Sequence, residues 1–421
     1  MKNKIMGLIM CGILFAVCVT GCTGRQQQSK QQNQKVSYSS LMKNWNALSK
    51  EEAITLWYTE KSDEKWLKTM AKDFEKAYGK KVELVFYDGN TFYEDMNTAN
   101  QQGKGPDVYL CGNDQLELVR NLGLAEENTA FDSKLWEENY PEVAKDAVTF
   151  KNQQYGYPVY FDTYCLVYDS KLLEKAPASM DDILSFADEY SDTGATKAIL
   201  RWDVADPYIN TMFLASYADI FGEQGDDSTS FDICNEKTIE AMKYFNSVSE
   251  YMWMDKNNIS HDIVKNRIKE GTLVFGLCKS DILQLLDEAN QSGEVAYKLS
   301  YLPSLTADLS TKAYSTTYIA MVNPYTSDEN LANLFACYLS YGNPKALFEG
   351  NGKLSVVDLG DDLDENQSIL YAQYLNSTPV PKVMLFGDYI SESGITYDAI
   401  WDGKDVEEQL SALQEKIKEK M

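Results

Sequence analysis

Apolar and polar positions change their period repeatedly along this chain. Ile54-Thr55-Leu56-Trp57-Tyr58 is a β-branched and aromatic run that predicts a buried strand. Ser62, Asp63 and Glu64 supply a helix start, with acidic residues at the positive end of the helix dipole. Trp66, Leu67, Met70, Phe74 and Tyr78 then recur at spacings of three and four, predicting one apolar helix face that Gly79 ends. Val82–Phe86 reads as the next strand, so residues 54–86 are expected to form a βαβ unit with a parallel strand pair. A helix over 91–102 leads through Gly105-Pro106 to a third strand at 107–110. This alternation predicts an α/β sheet with helices on both faces. Ligands of such sheets sit beyond the carboxyl ends of the strands, which favours the residues just after Tyr58 and Leu110.

The stretch after Pro158, as far as Tyr168, reads as a long strand. Helices are expected near 180–190, 206–221, 236–250, 260–270 and 329–342, and strands at 273–277 and 314–323. In the helix at 329–342, Leu331, Leu334, Phe335 and Tyr338 share one face. The C-terminal helix carries Asp405 as its cap, Glu408 three residues on as in a capping box, and a stripe of Leu410, Leu413 and Ile417. No internal repeat is evident.

The first 22 residues have a different character. Lys2 and Lys4 form a basic head, Ile5 to Thr20 is uncharged and apolar, and Val19-Thr20-Gly21-Cys22 closes the run. This reads as a signal peptide, residues 1–21, too short and wrongly flanked for a stable membrane span. Its end resembles a bacterial lipobox, which makes Cys22 the lipidation site. Residues 22–50, rich in Gln as far as Lys35, are expected to be a flexible tether. The protein is then held by lipid at the outer face of a cell membrane, in the manner of Gram-positive lipoproteins.

The chain has 421 residues, enough for two or three domains, with 44% apolar and 24% charged residues. Its net charge is −25, and the mature chain has 37 basic against 64 acidic residues once Lys2 and Lys4 leave. That balance argues against a nucleic-acid partner. The single histidine, His261, excludes multi-histidine zinc sites. Cys111, Cys165, Cys234, Cys278 and Cys337 are odd in number and widely spaced, so they read as small buried hydrophobes and not as a disulfide framework. Asp361-Asp362-Leu363-Asp364-Glu365-Asn366 begins like a calcium loop but lacks its central Gly and closing Glu, and reads as a solvated acidic loop. No GxxxxGK[ST] or GxSxG motif is present.

Four segments carry a resemblance. Ile54–Tyr58 followed by Phe74-Glu-Lys-Ala-Tyr-Gly-Lys-Lys-Val82, then Gly105-Pro106-Asp107-Val108, then Tyr155-Gly-Tyr-Pro158 with Leu166–Leu172, and the helix after Asp405 occur in that order. Together with the leader they resemble the extracellular solute-binding proteins of bacterial sugar ABC importers, the maltose-binding-protein-like family. The resemblance covers most of residues 53–420. It implies a type II periplasmic-binding-protein-like fold, two α/β lobes joined by hinge strands with the ligand enclosed between them. By this resemblance lobe one takes residues 51–160 and 320–365, and lobe two takes 161–315 and 370–421. It also implies a carbohydrate ligand, ABC permease subunits as partners, a monomer, no cofactor and no catalysis.

A neutral sugar needs carboxylates or amides for its hydroxyls and aromatic rings for its C–H faces. Asn113 and Asp114 follow the third strand and align with an acidic sugar ligand of the family. Asp162 falls at the crossover between lobes. Asp206, Pro207 and Tyr208 match a family pattern of acid, proline and aromatic at a helix start. Glu60 after the first strand, Trp202, and Lys279 with Ser280 in the loop after 273–277 are further expectations. Tyr314, Tyr318, Phe386 and Tyr389 lie in segments that supply aromatics in the family. The maltodextrin stacking surface is not reproduced, because Cys111 and Ser280 stand where the maltose binder has tryptophan. Two other readings stay open: a secreted carbohydrate-active enzyme using paired carboxylates such as Asp162 and Asp206, and the same fold binding a peptide, polyamine or anion.

Overall fold

The computed structural model describes residues 38–131, 133–190, 197–252 and 254–421. The signal peptide, Cys22 and the Gln-rich run lie outside the described residues. The chain divides into two compact units, residues 1–44 and 45–421. Residues 38–44, the described part of the first, are helical. In the second, residues 45–48 are helical and Trp45 is buried with its ring edge-on to Tyr157. The expected flexible tether over 22–50 is therefore corrected over residues 38–48, where apolar Met42 and Trp45 find buried positions.

Ten strands form the central sheet: β1 (Ala53–Tyr58), β2 (Lys81–Phe86), β3 (Val108–Gly112), β4 (Tyr157–Asp169), β5 (Ala198–Arg201), β6 (Leu273–Lys279), β7 (Tyr297–Ser300), β8 (Tyr314–Val322), β9 (Leu354–Ser355) and β10 (Thr378–Pro379). β1 pairs in parallel with both β2 and β3, as the βαβ reading requires. Helix Glu64–Tyr78 connects β1 to β2 and buries Trp66, Leu67, Met70 and Phe74. Phe74 meets Phe335 of helix Glu329–Tyr341 at 4.9 Å between ring centroids. Gly79 ends the helix in the left-handed region at φ 73°, a conformation that glycine adopts without a Cβ penalty.

β4 is the element that organises the rest. Its first half, Tyr157 to Thr163, pairs antiparallel with β8 and, at Tyr160 and Phe161, with β9. Its second half, Tyr164 to Asp169, pairs antiparallel with β6, and from Leu166 also with β7. β6 in turn pairs in parallel with β5. One 13-residue strand therefore exchanges β8 for β6 between Thr163 and Tyr164, and β9 for β7 between Phe161 and Leu166, and two sheets share it.

Two expectations change, one of a helix and one of a loop. Residues 206–221 give only helix Pro207–Asn210 and a 3-10 turn, Thr211–Phe213, before Asp219–Ile220 pairs as a short strand with Phe231–Asp232. Ile209 through Leu214 are all buried, so no polar face is left to make an amphipathic helix, and Phe221 and Gly222 both take positive φ. The acidic run at 361–366 contains a helix start. The Asp364 carboxylate accepts from the Gln367 amide and closes a capping box on helix Glu365–Leu375.

Candidate functional site

A cavity of about 340 Å³ opens where β1 and β3 end and where β4 and β8 pass between the two sheets. Thr59 and Glu60 follow β1 directly, and Cys111, Gly112, Asp114 and Gln115 close β3. The opposite side brings Lys279 from the end of β6 and Tyr208 from helix Pro207–Asn210. The floor comes from two strands with one pattern. Tyr160, Asp162 and Tyr164 lie two residues apart on β4, and Tyr314, Thr316 and Tyr318 do so on β8. Side chains at this spacing share one face of a strand, and the register sets Tyr318 opposite Tyr160 and Thr316 opposite Asp162. With Tyr93, six tyrosines and four carboxyls line the cavity.

The tyrosines are held in place. Tyr160 and Tyr318 stack at 4.4 Å with 21° between planes, and Trp66 meets Tyr160 edge-on at 6.0 Å. Phe386 sits edge-on against both Tyr208 and Tyr314, at 5.9 and 6.1 Å. The Tyr164 hydroxyl donates to the Asp206 carboxylate at 3.1 Å.

Each acid has a different environment. Asp63 was expected to start a helix, yet its side chain caps nothing. It accepts from the Tyr160 hydroxyl and the Asn351 amide, both at 2.7 Å. Burial lifts its pKa to about 6, against those two hydrogen bonds. A carboxyl raised on folding stabilises the fold fully below its unfolded pKa and loses that contribution as pH rises through the folded value. Stability is therefore expected to fall as pH rises from about 4 to about 6, and Asp63→Asn to flatten that slope in urea titrations across the same range. An unchanged slope would show that Asp63 does not carry it.

Asp162 accepts from the Ser280 hydroxyl at 2.7 Å and forms an ion pair with Lys353, whose ammonium also lies 5.7 Å from the Tyr160 and Tyr318 ring centres. The Asp206 carboxylate caps Tyr208 through its amide at 2.9 Å and faces Lys279 and His261 Nε2, both at 3.6 Å. Burial first, then the Lys279 charge, holds the His261 pKa below its ordinary value. Asp114 accepts from the Gln115 amide at 2.6 Å, and burial raises its pKa.

Glu60, Asp114, Asp162, Tyr208 and Tyr314 thus come together on the wall, and Asp206 stands one step behind it, holding Tyr164 and Lys279. Five expected contacts move elsewhere: Phe386 is buried behind Tyr208 and Tyr314, and four others leave the wall. Asn113 is fully buried and stitches the end of β3 to its neighbours: it accepts from the Thr317 amide and donates to the Val380 carbonyl, both at 2.8 Å. Ser280 is buried and spends its hydroxyl on Asp162 and the Thr163 amide. Trp202 is buried in the core against Trp401 and donates to Asn210 at 3.0 Å. Tyr389 is buried too, its hydroxyl 2.7 Å from that of Tyr397. Tyr93, Asp63, Gln115, Tyr160, Tyr164 and Thr316 are lining residues that the expectations did not name as contacts. For Tyr160, Tyr164 and Thr316 the signal is the Tyr-x-x-x-Tyr spacing shared by 160–164 and 314–318. Among the described residues no group of three or more His, Cys, Asp or Glu is placed to hold a metal ion.

The model of the bacterial extracellular solute-binding protein family matches residues 69–345, well over half of the chain. The chain belongs to that family. It is 22% identical over 387 residues to the maltodextrin-binding protein of Bacillus subtilis, covering 86% of this chain and 89% of that one. It is 20% identical over 386 residues to a maltooligosaccharide ABC transporter solute-binding lipoprotein of Streptococcus pneumoniae, covering 86% and 88%. Among solved structures, the Staphylococcus aureus extracellular solute-binding protein in complex with maltose superposes with a TM-score of 0.74 at 19% identity, over 88% of this chain and 98% of that one. A cyclo/maltodextrin-binding protein complexed with maltotetraose gives 0.76 at 17%, over 88% and 97%. These likenesses establish the two-lobed type II fold.

Proposed function

We propose that this family member captures a carbohydrate in the cavity between its lobes and delivers it, without chemical change, to the permease of an ABC importer. The observation that carries this reading is the paired tyrosine ladder of β4 and β8 beside the carboxylates of Glu60, Asp114 and Asp162. Flat rings suit the C–H faces of a pyranose, and carboxylates accept its hydroxyls. A cavity of about 340 Å³ lies at the small end for a ligand site, which favours one or two sugar rings. The maltodextrin and maltooligosaccharide specificities named for the relatives support the ligand class. In this reading the lobes divide at Thr163–Tyr164 of β4, where β8 gives way to β6, and closure turns about that point and the antiparallel β8 beside it. Catalysis is disfavoured because Asp162 is engaged by Lys353 and Ser280, and Asp206 by Lys279 and Tyr164, so neither is a free acid or base.

In this reading Cys22 carries the lipid that holds the protein at the outer membrane face, and the protein acts as a monomer. The test is a thermal-shift screen of residues 36–421 against neutral mono- and oligosaccharides, amino acids, polyamines and anions. A ligand at about 100 times its dissociation constant adds roughly 2.7 kcal/mol to stability. A rise with a sugar that is recovered intact supports the reading. A rise only with another class, or hydrolysis of the sugar, overturns it.

A further inference from the structure

One oxygen of Asp206 is contested. Oδ1 accepts from the Tyr208 amide at 2.9 Å, which leaves Oδ2 to three other groups. The Tyr164 hydroxyl donates to Oδ2 at 3.1 Å, while the Lys279 ammonium and His261 Nε2 both stop 3.6 Å from it. An ionised carboxylate offers about two acceptor sites per oxygen, so beside Tyr164 there is room for one more donor and not for two. His261 is the single histidine of the chain, and its Nε2 is buried without a hydrogen-bond partner. Its ring lies within 13° of parallel to that of Tyr164, and the Lys279 ammonium is 5.9 Å from the centre of the same Tyr164 ring. Tyr164, Tyr208 and Lys279 line the cavity, and His261 stands behind them.

The other charges around the imidazole are engaged or face water. Asp203 accepts from the His261 amide and the Ala205 amide, one on each oxygen at 3.2 Å. Asp281, in the turn after β6, pairs with Lys265 of the helix His261–Lys269, and Asp262 on that helix is exposed. Burial and the Lys279 charge keep the ring neutral near pH 7. As pH falls, an imidazolium would bring a charge-assisted donor to the one free site on Asp206 and repel the Lys279 ammonium from it. Among the described residues Asp206 is the ion-pair partner of Lys279. Without it the flexible lysine stem must be ordered again by the ligand, which weakens binding.

We infer that His261 is a positioning residue that acts through Asp206, fixing Lys279 for the ligand when neutral and releasing it when protonated, so that the protein holds its ligand less tightly in acid. This rests on the carbohydrate reading and adds a control to it.

Two measurements on the untagged mature chain test it. A single histidine gives one imidazole Hε1 signal by NMR, and its titration midpoint is followed with and without sugar. Lys279→Met should raise that midpoint by removing a neighbouring cation, and Asp206→Asn should lower it. Calorimetric titrations between about pH 7.5 and about pH 4.5 use glucose, galactose, maltose, maltotriose, cellobiose and xylobiose as probes. A sugar that binds at the upper end should bind about fivefold or more weaker at the lower end, with the step at the His261 midpoint, and by reciprocity its binding should lower that midpoint. His261→Gln, which can still donate to Asp206 but carries no charge, should flatten the profile, and His261→Asn serves if that variant misfolds. Asp63→Asn removes the other cavity group that titrates at about 6 and should keep the step. A midpoint that ignores both Lys279→Met and Asp206→Asn overturns the inference. So does an affinity that is equal or higher in acid, or a step that survives in His261→Gln. In each of these cases the carbohydrate reading stands. No binding of any probe at either end of the range overturns both.

Discussion

Trp202→Ala will lower the unfolding free energy by about 3–5 kcal/mol while leaving the ligand affinity of the folded protein within about twofold. The indole is wholly buried, meets Trp401 edge-on at 5.5 Å and packs beside Phe213 at 6.3 Å. Its ring nitrogen donates to Asn210, whose own amide donates to the Val204 carbonyl, so truncation opens a cavity and leaves a buried acceptor without its donor. Urea denaturation gives the stability change, and calorimetry below the transition gives the affinity. A normal melt with lost binding would put the indole back in the site.

Asp162→Ala has the second large effect, and it falls on two quantities. The pair with Lys353 is mostly buried, with 14% and 23% of the side chains exposed. Removing the carboxylate leaves the Lys353 ammonium without a counter-charge and the Ser280 hydroxyl without an acceptor, a loss of about 3 kcal/mol in stability. Sugar affinity is expected to weaken by about 2 kcal/mol, because a charged acceptor leaves the floor of the cavity. Adding Lys353→Met separates the two. The double variant should regain most of the stability and none of the affinity. An affinity equal to that of the unaltered protein in both variants would remove Asp162 from ligand contact and make it a lobe-to-lobe tie alone.

Local periodicity made the β1–helix–β2 unit legible, because Trp66, Leu67, Met70 and Phe74 can share one face only in a helix and Ile54–Tyr58 packs well only as a strand. The carboxyl-end rule then pointed to Glu60 and Asp114. What could not be read was the direction of neighbouring side chains in short turns. Asn113 and Asp114 are adjacent in one 3-10 turn, yet one is tied inward to Thr317 and Val380 and the other lines the cavity. Aromatic residues posed the same problem. Tyr314 and Tyr389 have identical chemistry, and only the packing of Phe386, which touches both, decides that one is wall and the other core. Residues 206–221 offer no readable period, because the run Ile209–Leu214 is buried all round and carries no polar phase.

The order of the strands sets a timetable for synthesis. β3 ends at Gly112, but β8, its neighbour on the inner side, starts at Tyr314, and β9 starts only at Leu354. At about 5–20 residues per second, β3 waits roughly 10–40 s after it is made for β8 to follow. Throughout that interval the nascent first sheet has an open edge and cannot complete its core. A polypeptide truncated anywhere before residue 314 keeps that edge for good, and chains caught at this stage are the ones exposed to edge-to-edge aggregation.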